Sequence, residues 1–133
     1  MYRLLDKTAL EILGDAGASL VPGALRDLQE YAVMLDHTGC VTEASRGSLT
    51  FLDADDTGAA VGRLWWQFWP DEMHSHLQEA VTRGLQGHIT QYWASYTDAD
   101  GDVSQWDLRF SPLQDAAEAV TSVIVVSRKL TTH

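Results

Sequence analysis

Apolar residues recur at helical spacing in two parts of the chain. In residues 3–13 they alternate with charged residues every three to four positions, which predicts an amphipathic helix ending between Gly14 and Gly17. A second, short helix is expected from Pro22 to residue 30, because proline suits a first helical turn. The clearest helix is predicted over residues 71–87, where acidic residues open the segment and a glycine closes it.

A two-residue period replaces the helical one elsewhere. Apolar runs on both sides of Asp36–Gly39 predict a hairpin. A second hairpin is expected over residues 88–113, around an Asp-Gly pair that is typical of tight turns. One face of its second strand is formed by Trp106, Leu108 and Phe110. The run Val123–Val126 is apolar at every position, so we expect a last strand that is covered on both faces.

The order of these elements predicts an α+β fold. It consists of a five-stranded antiparallel sheet with a helical insertion between strands 2 and 3, packed on one face of the sheet. The N-terminal amphipathic helix remains to cover the other face. We therefore divide the chain into an N-terminal helical flank, residues 1–30, and a single domain, residues 31–131.

Composition and charge narrow the function. The chain has 133 residues, enough for one domain with a core, and its net charge is −10. Such a charge repels phosphates, so we expect neither nucleic acid nor an anionic membrane surface as a partner. Acidic residues interrupt the N-terminal segment where a signal peptide would be apolar, and one cysteine, Cys40, cannot form an internal disulfide. We expect a cytoplasmic domain.

Four segments, in the same order and spacing, resemble the PAS sensor domain family over residues 31–131. VMLDHTGCVTEAS resembles the opening hairpin of that family, and VGRLWWQFWPDE resembles the segment that leads into its long helix. YTDADGDVSQWDLRFSPLQD resembles its later hairpin, and VIVVSRKLT its last strand. Two positions depart from the family pattern. Glu43 follows the second strand where asparagine is common, and Lys129 with Leu130 replaces the usual Asp-Ile at the exit. The second departure favours signal transmission through the N-terminal helix.

The resemblance implies a sensory domain and not an enzyme. Such domains enclose a pocket between the sheet and the helices, and a ligand there shifts the balance between two packings of the flanking helices. The output, in two-component or transcriptional regulation, would lie in a partner or an attached domain outside these residues. The expected pocket-lining residues are Leu52, Leu64, Trp65, Phe68, Met73, Leu77, Trp106, Leu108 and Val125.

The sequence leaves the identity of the ligand open. Haem-binding members of the family use a histidine on the long helix, which makes His74 and His76 candidate iron ligands, although helical spacing lets at most one face inward. Flavin is the other candidate cofactor, and neither is favoured. A light-driven flavin adduct is excluded, because it needs a cysteine in the short helices and Cys40 begins the second strand instead. The tryptophans either wall a pocket for a flat ligand or simply fill the core.

Two other interpretations compete with ligand sensing. The first is a protein-interaction module with no ligand, in which the tryptophans of LWWQFWP fill the cavity. The second is a small cone-shaped isomerase-type enzyme, whose helices would mostly precede its strands. We single out no catalytic group and no metal site, because Asp53, Asp55 and Asp56, like the DADGD run at residues 98–102, lack the EF-hand spacing and are interpreted as turns.

A homodimer is the expected assembly. The last strand carries apolar residues on both faces, and the helix with Leu5, Ile12 and Leu13 can cover the outer face in its own chain or in a partner. Both arrangements bury a similar apolar area, so hydrophobic burial alone does not choose between them. Twofold symmetric pairs are the commonest oligomers, which favours the dimer.

Overall fold

The computed structural model describes residues 3–4, 6–13, 25, 31–46, 61–97 and 100–132. The strands are β1 (Arg3–Leu4), β2 (Tyr31–Leu35), β3 (Val41–Ala44), β4 (Thr90–Thr97), β5 (Val103–Gln114) and β6 (Val120–Thr132). The helices are α1 (Lys7–Leu13) and α2 (His74–Leu85), and two short 3₁₀ turns, Trp65–Phe68 and Asp71–Met73, precede α2. In these ranges no helix is long and apolar enough to cross a membrane.

All strands form one antiparallel sheet. β5, β6, β2 and β3 lie side by side in that order, and β4 and β1 both pair with the outer side of β5, at different points along its length. The predicted five-stranded sheet is thus confirmed as β2 to β6, with the helical insertion between β3 and β4. The α+β class is confirmed as well.

The N-terminal segment differs from its prediction. A helix was expected from residue 3, but Arg3 and Leu4 pair with Gln114 and Leu113 of β5 as a short strand. The helix starts only at Lys7, since the carboxylate of Asp6 accepts the backbone N–H of Thr8 at 3.0 Å and acts as the N-cap. The predicted helix over 22–30, except Leu25, and most of the turns predicted for residues 45–62 lie outside the described residues.

The hairpin of β2 and β3 turns as predicted. One carboxylate oxygen of Asp36 accepts the N–H and the hydroxyl of Thr38 and the N–H of Cys40, an arrangement by which aspartate stabilises turns. Gly39 has a φ of +88°, and a Cβ built on it would lie 2.2 Å from Cζ3 of Trp66. Gly39 therefore serves both a backbone conformation and a ring contact.

Residues 62–65 occupy the outer edge of β3. The N–H of Val41 donates to the carbonyl of Arg63 at 2.9 Å, and the N–H of Gly62 donates to the carbonyl of Val41 at 2.7 Å. Cys40 and Leu64 form an isolated antiparallel bridge in the same place. The start of this sheet edge, at residues 39–41, is therefore paired with the protein's own backbone.

Helix α2 ends at the glycine that the sequence marks as its stop. The N–H of Gly87, with φ +92°, donates to the carbonyl of Gly84, and the N–H of His88 donates to that of Arg83. This pair of bonds is the Schellman motif, which satisfies carbonyls at a helix end. Asp71 and Glu72, expected in the first turn of this helix, form a 3₁₀ turn just before it.

The sheet separates two apolar clusters. The inner cluster lies between the sheet and α2, and its buried members include Val33, Leu35, Trp65, Trp69, Met73, Leu77, Ala94, Trp106, Leu108, Phe110, Val123 and Val125. The outer cluster lies under α1 and contains Leu4, Ala9, Leu13, Leu25, Ala32, Met34, Leu113, Ile124 and Val126. Alternate residues of β6 enter the two clusters, so the prediction that both its faces are covered is confirmed.

Replacing Gly84 by alanine should destabilise the domain. A Cβ at this position would lie 2.8 Å from Cγ2 of Val123, so α2 would have to move away from β6. Overpacking of this kind costs about 1–3 kcal/mol, against a gain in helix propensity of about 1 kcal/mol. We expect a lower denaturant midpoint for Gly84→Ala, and a smaller effect of the same substitution in the background of Val123→Ala, where the contacting methyl groups are absent. A midpoint equal to or above that of the unmodified protein would show that the contact relaxes freely.

Candidate functional site

Five aromatic rings form a continuous series through the inner cluster. Phe110 contacts Trp65, Trp65 contacts Trp69, Trp69 contacts Trp106 and Trp106 contacts Tyr31, with ring centroids 5.1–6.4 Å apart. Every contact is edge-to-face, the geometry that aromatic quadrupoles prefer. The series joins the 3₁₀ turn before α2 to β5 and β2, so it connects both layers of the domain.

The structure brings most of the predicted pocket residues together. Trp65, Met73, Leu77, Trp106, Leu108 and Val125 are all buried members of the inner cluster. Phe68 is half-buried against the same cluster, with the guanidinium of Arg63 4.5 Å above its ring. Leu64 is half-buried at the bridge to Cys40. Leu52 lies outside the described residues.

The inner cluster offers an apolar, aromatic surface with no ionisable side chain among the predicted pocket residues. One polar contact inside it is the indole N–H of Trp106, which donates to the hydroxyl of Ser104 at 2.9 Å. A site of this composition binds by dispersion and ring contacts, and it suits an uncharged or flat aromatic molecule.

Neither candidate haem ligand lies in the inner cluster. His74 is half-buried, and its Nε2 donates to the carbonyl of Trp69 at 2.9 Å. His76 is exposed, and its ring stacks on Tyr92 with centroids 5.7 Å apart. His74 thus binds the backbone at the start of α2, and His76 lies on the outer side of the helix. The structure therefore adds no support for iron ligation. Among the described residues no group of three His, Cys, Asp or Glu side chains is placed to hold a metal ion.

A polar cluster on the opposite face of the sheet was missed by the sequence analysis. Asp6, Arg109 and Ser111 form this cluster, which we call the Asp6 network. Nε of Arg109 donates to Oδ2 of Asp6 at 2.6 Å and Nη2 to Oδ1 at 3.2 Å, while the hydroxyl of Ser111 donates to Oδ2 at 2.6 Å. The side chain of Asp6 is 2% exposed and that of Arg109 21%. The network fastens the start of α1 to β5.

Asp6 and Arg109 are both ionised in the Asp6 network. Burial by itself raises the pKa of Asp6, but the hydrogen bonds from Arg109 and Ser111 and the charge of Arg109 outweigh it, so the pKa lies below its ordinary value. The same bond raises the pKa of Arg109. A buried, ionised pair with both oxygens engaged is geometrically specific, because removing either partner leaves an uncompensated charge.

The network also connects the two faces of β5. Arg109 and Ser111 face α1, and the residues that alternate with them, Leu108 and Phe110, are buried in the inner cluster. The groups that hold α1 and two residues of the inner cluster thus belong to the same strand.

Two of the three predicted dimer residues contact the outer cluster of their own chain. Leu13 is buried in that cluster, and Ile12 is half-buried against it. Leu5 lies outside the described residues. In the described residues α1 covers the sheet of its own chain, and the dimer stays a prediction.

Comparison with known proteins gives one family. The family model described as the PAS fold matches residues 25–133, and a search of curated proteins found no significant match. The ligand–DNA complex of Vibrio cholerae VqmA is 15% identical with a TM-score of 0.69, covering 77% of this chain and 46% of VqmA. The chain thus spans about half the length of VqmA.

Two further solved structures each align with most of this chain and over most of their own length. A PAS domain from Colwellia psychrerythraea is 16% identical with a TM-score of 0.66, covering 83% of this chain and 93% of that one. A light-oxygen-voltage domain studied with a flavin analogue is 19% identical with a TM-score of 0.60, covering 96% and 87%. At these identities the likeness shows the fold.

Proposed function

This chain belongs to the PAS-fold family, and from this premise we propose that it is a sensory domain that binds an uncharged or flat aromatic small molecule between its sheet and α2. The observation that carries the proposal is the ring series from Phe110 to Tyr31, which lies where the two layers meet. Solved relatives support the idea of a ligand, since VqmA has been crystallised with DPO and the light-oxygen-voltage domain with a flavin analogue.

The transmission step of the proposal uses β5. A ligand that displaces rings of the inner cluster moves Leu108 and Phe110, and therefore also Arg109, which holds Asp6 at the start of α1. Ligand occupancy would thus change how firmly α1 is attached to the sheet. This is a role in binding and signalling without catalysis.

The output is proposed to lie in another protein or domain, as part of transcriptional or two-component regulation in the cytoplasm. We also propose a homodimer, an assembly supported by the dimer described for VqmA. Direct contact with nucleic acid is not proposed for this chain, since its net charge is −10. VqmA binds DNA, but this chain covers only 46% of it.

The first experiment is an absorption spectrum and a native mass spectrum of the purified protein. A Soret band would identify haem, flavin bands would identify a flavin, and an added mass without colour would identify another small molecule. Thermal unfolding then measures binding, because a ligand at 100 times its Kd stabilises a protein by about 2.7 kcal/mol. Absence of added mass, together with an unchanged Tm for haem, flavin mononucleotide and a panel of flat aromatic metabolites, would contradict the proposal.

Tryptophan fluorescence should locate a bound flavin at the inner cluster. Trp65, Trp69 and Trp106 are buried there, whereas Trp93 is 65% exposed on β4. We expect titration with flavin mononucleotide to quench the emission to a similar extent in the unmodified protein and in Trp93→Phe. Quenching that disappears in Trp93→Phe would place the binding site on the outside of the sheet.

A ligand-free interaction module is the second candidate. The observation that favours it is the edge-to-face packing of Trp65, Trp69 and Trp106, which fills the space between the layers with protein side chains. The same thermal screen separates the two candidates, because a module that acts only by protein contact keeps a constant Tm whichever small molecule is added.

A further inference from the structure

The two outermost strands of the sheet, β3 and β4, differ in what pairs with their outer edges. At one end, residues 62–65 pair with the outer edge of β3 through backbone hydrogen bonds. At the other end stands β4, which in the described part of the chain pairs with β5 alone. One side of this strand therefore presents backbone N–H and C=O groups that no described residue pairs.

Strand β4 also lacks the features that normally protect an open edge. Natural proteins blunt edge strands with charged residues, proline, bulges or very short lengths, because an exposed edge templates pairing with another chain. The sequence of β4, TQYWASYT, is eight residues long and contains neither charge nor proline. Its register with β5 runs without a shift from Thr90 to Thr97. Trp93, in the middle of the strand, is 65% exposed.

From this contrast we propose that β4 pairs edge to edge and antiparallel with β4 of a second copy of this chain, and that Trp93 lies at the centre of the contact. The proposal rests on the homodimer of the proposed function and specifies the surface that forms it.

Charge favours a second copy as the occupant. Each chain carries a net charge of −10, so two copies approach most easily where no acidic side chain stands uncompensated. Next to Trp93 on the same face is Asp107, whose carboxylate accepts from Arg128 at 3.1 Å and from Gln91 at 2.8 Å. On the α2 side, Glu79 is paired with Arg83 at 3.1 Å. The acidic side chains beside the middle of β4 are thus compensated, and the acidic turn that holds Asp100 and Asp102 lies beyond the end of the strand.

Space beside the strand is also present. A groove of about 210 Å³ runs between α2 and the first half of β4, lined by His76, Arg83, Gln91 and Tyr92 among others. Helix α2 therefore does not fill the space beside the first half of β4.

Geometry limits the assembly to two copies. Antiparallel pairing of identical strands uses the same patch on both molecules, so it has twofold symmetry and closes. At the opposite edge, residues 62–65 pair with residues 39–41 at the start of β3. The symmetric contact occupies the β4 edge of both copies, so a dimer forms instead of a fibre.

Sedimentation equilibrium of the full chain tests the surface. We expect Trp93→Lys to raise the dimer dissociation constant by at least about 30-fold, the effect of removing a central tryptophan anchor. Ser95→Lys, a second exposed position of the strand, should act in the same direction. The matched control is Val61→Lys, which puts the same charge at an apolar residue that is 47% exposed near the covered end. It should leave the dissociation constant unchanged. Circular dichroism checks that each variant is folded.

Hydrogen exchange distinguishes edge pairing from packing of sheet faces. In the dimer all amides of β4 should be protected, and in Trp93→Lys every second amide should exchange rapidly. Equal protection in dimer and monomer would overturn the edge-to-edge contact, as would a dimer that resists both lysine variants. A dimer that resists both lysine variants would leave the proposed homodimer in place and make α1 the next candidate surface. An unmodified protein that is monomeric at millimolar concentration would overturn the homodimer as well.

Discussion

Replacing Gly39 by alanine should lower the free energy of unfolding by about 2–5 kcal/mol. Two costs add at this position. The φ of +88° is a conformation that costs L-residues roughly 1–2 kcal/mol, and the new Cβ would lie 2.2 Å from the ring of Trp66. The contacting atoms are the outer edge of a half-buried ring, which has to shift to make room, so overpacking adds about 1–3 kcal/mol.

Gly62 provides the matched control. Its φ of +89° is nearly the same, but a Cβ there would meet nothing within 4 Å. Gly62→Ala should therefore show the backbone cost alone, and the difference between the two variants in urea unfolding measures the contact with Trp66. Equal losses in both variants would mean that the ring contact contributes nothing.

The second large effect is expected for Asp6→Asn. Asparagine keeps the N-cap of α1 but removes the carboxylate that accepts the two hydrogen bonds of Arg109, which is 21% exposed. Breaking a buried ion pair by removing one partner costs about 3–5 kcal/mol. We expect a loss near the lower limit, since Arg109 reaches partly to solvent. Glu79→Gln is the control, because that carboxylate pairs with Arg83 on the surface and both side chains are more than half exposed.

The pH dependence of stability should identify the same carboxylate. The pKa of Asp6 is lower in the folded protein than in the unfolded chain, where an ordinary aspartate has a pKa of about 3.9. Its contribution is therefore fully present above that unfolded value and is lost as the pH falls through the folded pKa. Acid titration of unfolding should show a steeper loss in the unmodified protein than in Asp6→Asn. Parallel curves below pH 4 would mean that Asp6 is not held ionised.

Hydrophobic periodicity was sufficient to predict the sheet and the inner cluster. Trp106 and Leu108 alternate with polar residues in β5, and a two-residue period assigns one face of a strand to the interior whatever the rest of the fold does. The same rule extends to Phe110, which was placed on that face but left out of the predicted pocket, although it contacts Trp65.

The N-terminal strand and the Asp6 network could not be predicted in the same way. Arg3 and Leu4 are too few to show a period, and their strand exists because β5 offers partners at Leu113 and Gln114. Asp6 and Arg109 stand 103 positions apart in the sequence. A lone aspartate before a helix is explained fully by its cap, so no local signal indicates that its other oxygen binds a distant arginine.

The position of β6 has a consequence for folding during synthesis on the ribosome. β6 lies between β5 and β2 and pairs with both, and Tyr31–Leu35 of β2 pairs with Val123–Ser127. The second edge of β2 therefore has no partner until β4, β5 and β6 have been translated. Contacts so distant in sequence form slowly, and unpaired edges attract other chains meanwhile. The nascent chain should thus complete its native sheet only after β6 has emerged.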